Sequence, residues 1–119
     1  MSVDSKTLFK QARLELKAAA AFFESAQSAH RYILELENKQ DRVYENMYRR
    51  TIDLGVPHYI AATAAKQASY ELYREIQEVK EEGLTSVEMA RFHRDMGEAL
   101  LLRCQEVQIE EQRRLMKEN

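Results

Sequence analysis

What most constrains this chain is the near absence of helix breakers. No glycine and no proline occurs before Gly55, and Pro57 is the single proline of 119 residues. These two residues cost the most inside a helix, about 1 and 3 kcal/mol relative to alanine. The roughly fifty residues from Ser5 to Leu54 therefore read as one very long helix, with Asp4 or Ser5 as its cap. Gly55-Val56-Pro57 ends it and begins the next. Glycine suits the left-handed position past a helix end, and proline the first turn of the following helix.

Apolar spacing gives the long helix a contact face. Phe22, Ala26, Ala29, Ile33, Leu36, Gln40, Val43 and Met47 recur at alternating steps of four and three, a heptad seam with one polar member at Gln40. Upstream, Leu8, Ala12, Leu16, Ala19 and Phe23 mark a neighbouring face, so the seam is expected to drift or broaden there. A second helix is expected over about 57–82, with the stripe Ala61, Ala65, Ala68, Leu72, Ile76 and Val79.

A further boundary is expected at Gly83. Leu84-Thr85-Ser86-Val87-Glu88-Met89 has the pattern of a helix start: Thr85 as cap, Glu88 reaching back, and Leu84 packing on Met89. The third helix, about 86–117, carries Met89, Phe92, Met96, Ala99, Leu100, Cys104 and Val107 on one side. Leu102, Ile109 and Met116 form a second row at heptad intervals. Short linkers make successive helices antiparallel neighbours. The expected fold is all-α: a single domain over 1–119, an elongated antiparallel three-helix bundle or coiled coil with one very long N-terminal helix. At 1.5 Å per residue that helix is about 70 Å long, against about 40 and 48 Å for the others. One helix outruns its cover and another carries two apolar rows, so oligomerisation is expected to complete the fold.

Most enzyme classes lack their residues here. A carboxylate-bridged metal bundle needs Glu-x-x-His pairs, whereas Gln27, Gly55 and Ala90 stand three before His30, His58 and His93. Cys104 is the single cysteine, which rules out an intramolecular disulfide and any two-thiol metal motif. Its expected role is that of a small buried hydrophobe. The serines lie in helices or caps, away from any strand-to-helix elbow, and the three glycines are scattered singly, with no phosphate loop. No catalytic residue, cofactor, metal or small-molecule substrate is expected.

Two features remain as a possible partner surface. Lys6, Lys10, Arg13 and Lys17 share one stripe of the first helix at steps of four, three and four. Four charges supply little affinity for nucleic acid at physiological salt, and 18 basic against 20 acidic residues leave a net charge of -2. Tyr44 with Tyr48, and Tyr70 with Tyr73, pair along their helices; tyrosine is enriched at protein interfaces because it buries a ring and keeps a polar tip.

The first residues lack the apolar core of a signal peptide, and the longest apolar run, Ala18 to Phe23, is too short to span a bilayer. A cytoplasmic compartment is the expectation. The reading is a non-enzymatic protein–protein interaction module: a scaffold, adaptor, secretion chaperone or complex subunit. It works as a homo-oligomer, a dimer first, or with an obligate protein partner. Self-association is assigned to Phe22, Ile33, Leu36, Gln40, Val43 and Met47 together with Leu102, Ile109 and Met116. The alternatives are a dimeric regulator binding nucleic acid through the basic stripe and, less favoured, a small helical-bundle enzyme.

Overall fold

Two long helices account for nearly the whole chain. The computed structural model describes residues 3–118; α1 is Ser5–Asp53 and α2 is His58–Glu118. Asp4 caps α1, its Oδ1 accepting from the Thr7 amide at 2.8 Å. Gly55 closes α1 at a φ of +85°, and its amide bonds to the Ile52 carbonyl at 2.8 Å. The Pro57 carbonyl accepts from both the Ile60 and Ala61 amides at 3.1 Å and so opens α2.

The break expected at Gly83 is not there. α2 runs unbroken through Gly83, Thr85 and Ser86, so the chain has two helices where three were expected. Thr85 sits inside a helix and not at its cap, and Leu84 is 65% exposed, with no staple to form. The physical reason is packing. A glycine and two hydroxyl residues cost a helix about 2 kcal/mol in propensity, but Gly83 faces α1, where a Cβ would lie 3.5 Å from that of Ala29. Its smallness serves a close approach and not a turn.

Contacts divide the chain into two compact units, one of Met1–Ser25 with Thr85–Asn119 and one of Ala26–Leu84. In the second unit, the end of α1 and the start of α2 form a helical hairpin around the turn. Its core is Leu36, Ile76 and Val79, with Ala29, Ile33 and Leu72 packed against them. In the first unit the core is Leu8, Cys104 and Val107, flanked by Leu100. Both cores are thin, because two helices side by side can cover only one stripe each. Ala12, Ala61, Ala65 and Ala90 are fully buried, yet no large side chain among the described residues is.

Heptad spacing runs along α1 and along α2 from Ser69 onward. On α1 the covered positions Ser5, Leu8, Ala12, Glu15, Ala19 and Phe22 lead in register into Ala26, Ala29, Ile33, Leu36, Gln40, Val43 and Met47. Glu15 and Phe22 hold the register upstream, Leu16 beside them is half-buried against Gly97 and so broadens the seam as expected, and Phe23 is exposed. On α2 the steps from Ser69 through Leu72, Ile76, Val79 and Gly83 continue through Ser86, Ala90, His93, Gly97, Leu100, Cys104, Val107 and Glu111. Ser69 takes the buried place expected for Ala68, donating its hydroxyl to the Ala65 carbonyl at 2.8 Å. Met89, Phe92, Met96 and Ala99, expected on the same side as Leu100, Cys104 and Val107, are exposed on a flank, whereas those three are covered.

Candidate functional site

Polar residues punctuate the covered stripe of the first unit, and Ser5, Glu15, His93 and Glu111 find partners across it. Glu111 holds the start of α1: its carboxylate accepts from the Ser5 amide at 3.1 Å and from the Ser5 hydroxyl at 2.9 Å. A negative charge is favoured there, because the first amides of a helix lack intrahelical acceptors. The Cys104 thiol donates to the Ser5 carbonyl at 3.3 Å. That thiol is a buried, hydrogen-bonded packing group.

One turn of heptads further on, Nδ1 of His93 meets Oε2 of Glu15. The two side chains keep only 20% and 30% of their exposure. Phe22 stacks on the imidazole at 5.5 Å and 4°, and Phe92 meets it edge-on at 5.2 Å. The rings of Phe22 and Phe92 orient the pair from two sides. No group of three or more metal-ligating side chains is placed to hold an ion among the described residues.

Tyrosines occupy both helices of the second unit. Tyr44 and Tyr48 stack at 6.3 Å, and the Tyr48 hydroxyl meets Nδ1 of His58 across the turn. Tyr70 and Tyr73 pair at 6.5 Å and are exposed. Tyr32 donates to Glu75, and this bond to a carboxylate raises the phenol above its usual 10.0. His30 is exposed.

The residues assigned to self-association fall into two groups. Leu36 is buried in the hairpin core with Ile33 against it, and Phe22, Gln40, Val43 and Met47 are half-buried along the same stripe. Leu102, Ile109 and Met116 stand out from α2 at 63%, 50% and 78% exposure. Lys6, Lys10, Arg13 and Lys17 are all exposed, and the stems of Lys10, Arg13 and Lys17 surround Leu14 in a shallow apolar depression. The Thr7 amide, with lesser help from the charges of Lys6 and Lys10, holds Asp4 below its usual 3.8. Sequence reasoning missed the Ser5–Glu111 and Glu15–His93 contacts, because each joins residues 78 or more apart and offers no local pattern.

No protein-family model matches the chain, and neither the curated proteins nor the solved structures gave a match. No helix among the described residues is long and apolar enough to cross a membrane.

Proposed function

We propose that this chain is a non-enzymatic protein–protein interaction module, a heptad-spaced helix pair that presents apolar faces to other proteins, copies of itself first. The observation that carries this reading is surface. The chain exposes 9338 Å², whereas a folded monomer of 14.0 kDa exposes about 6,700 Å² by the scaling of area with mass. The excess is more than the roughly 800 Å² that each partner contributes to a standard interface. Apolar side chains share in it: the row Leu102, Ile109, Met116 and the flank Met89, Phe92, Met96 are open to solvent. Leaving such rows wet forfeits about 1.5–3 kcal/mol per large side chain that a partner could bury. The seam from Phe22 to Met47 holds α1 to α2, so the outward rows are the ones offered to a partner. A single buried thiol suits a reducing, cytoplasmic setting.

Sedimentation equilibrium on the wild type and on a variant with Leu102→Ser and Ile109→Ser tests the reading. The wild type is expected above 14.0 kDa and the variant closer to it. Self-association is ruled out if the wild type stays at the monomer mass at every concentration. A variant that associates as the wild type does removes this row from the interface.

A further inference from the structure

A second stripe answers the basic one. Lys6, Lys10, Arg13 and Lys17 step by four, three and four along α1, and Glu71, Glu75, Glu78 and Glu82 step by four, three and four along α2. Each stripe covers three turns of helix, about 16 Å. Like charges at such steps repel along each helix. Neither stripe is neutralised within the chain: the ion pairs among the described residues involve other groups, and Glu75 alone is engaged, by the Tyr32 hydroxyl. Arg74 and Lys80 are the bases on the acidic segment; Asp4 and Glu15 are the acids at the basic one, Glu15 being turned to His93, so each stripe keeps its sign.

We infer that the basic stripe of α1, with Leu14 at its centre, docks on the acidic stripe of α2 in a second copy of this chain. This rests on the interaction reading and names the partner. The partner is chosen by complementarity. Equal spacing lets four cations meet four carboxylates, and the sequence of steps is the same read in either direction, so parallel and antiparallel approaches both match. Leu14, framed by lysine and arginine stems, gives the contact an apolar centre that charge alone lacks. Nucleic acid fits less well, since four phosphate contacts bind weakly and the net charge is -2. Exposed charge pairs set orientation and encounter rate more than affinity, so the stripes select how copies meet.

The test is a charge exchange in the full-length protein. One variant carries Lys6→Glu, Lys10→Glu, Arg13→Glu and Lys17→Glu, and another carries Glu71→Lys, Glu78→Lys and Glu82→Lys, leaving Glu75 with Tyr32. Each alone places like charges face to face, and its dissociation constant should rise at least about tenfold. An equimolar mixture presents opposite charges again and should recover wild-type association. Wild-type association should also weaken as salt rises from about 0.05 to 0.5 M, as the Debye length shrinks. Circular dichroism checks that each variant keeps its helices; where a reversal does not, glutamine at the same positions replaces it. A variant that associates like the wild type, or a mixture that stays dissociated, overturns the inference but leaves the apolar rows to carry the interaction reading. A wild type monomeric at low salt overturns it too, as does duplex DNA binding lost with the basic stripe in the absence of self-association.

Discussion

Replacing Gly83 with alanine tests whether α2 is continuous, because the sign of the effect differs between a helix interior and a helix end. In the interior, alanine is better than glycine by about 1 kcal/mol. The new methyl has room: it would lie 3.5 Å from Ala29 Cβ, an ordinary contact distance. Gly83→Ala should therefore stabilise the protein by about 1 kcal/mol and raise the thermal midpoint by roughly 4 °C. At a left-handed helix end the same change would cost about 1 kcal/mol or more. Gly97 serves as the control. It is also interior to α2, with the same propensity gain, but its Cβ would sit 2.8 Å from Leu16 Cγ and Cδ2 and 3.3 Å from the Ala12 carbonyl. Overpacking of that kind costs about 1–3 kcal/mol, enough to reverse the gain. Thermal and urea unfolding by circular dichroism at one fixed protein concentration reads both, because association also moves midpoints. A lower midpoint for Gly83→Ala would refute the continuous helix. A higher midpoint for Gly97→Ala would refute the close approach of α1 to α2 at Leu16.

The Glu15–His93 pair should behave as a half-buried hydrogen-bonded contact. Glu15→Leu or His93→Leu alone is expected to cost about 1–3 kcal/mol by stranding the partner, and the double variant to recover most of it; additive losses in urea unfolding would show that the two do not interact. For Asp4, bonding to the Thr7 amide lowers the folded-state carboxyl below 3.8, so its contribution is complete above that value and is lost as pH falls through the lowered one. Asp4→Asn keeps a cap but not the titration, so the wild type's advantage over it in urea midpoint should shrink between neutral pH and about pH 2. An advantage constant with pH would mean that the carboxylate is not held.

Local chemistry made the first boundary legible, and distant partners hid the second. Gly55 stands beside Pro57, and a positive φ followed by a helix start is the one arrangement that suits both. Gly83 has no such neighbour. Its role depends on Ala29, more than fifty residues away, and the hydroxyl residues after it imitate a cap. The apolar spacing from Phe22 to Met47 found the covered stripe, since every residue but Gln40 is apolar. Above Phe22 the stripe includes Glu15, and an apolar search steps aside to Leu16 and Phe23. His93 makes the glutamate acceptable there, and sequence distance conceals it. Ser69 was passed over for Ala68 for a similar reason: a serine that bonds its own helix's carbonyl is buried at little cost. The basic stripe was visible, but its acidic counterpart on α2 drew no notice, because its glutamates alternate with Arg74 and Lys80 along the chain.

The two contact units also set an order of assembly. Across the turn, Tyr48 meets His58 with a sequence separation of 10, whereas Ser5 meets Glu111 with a separation of 106. Closing the longer loop costs about 2 kcal/mol more in chain entropy. The hairpin of Ala26–Leu84 is therefore expected to form before the unit built from the two ends of the chain. Substitutions at Leu36 or Ile76 should slow folding, and substitutions at Leu8 or Val107 should instead hasten unfolding. Amide exchange runs the same course in reverse, with the Ser5–Glu111 end opening first and the hairpin core last.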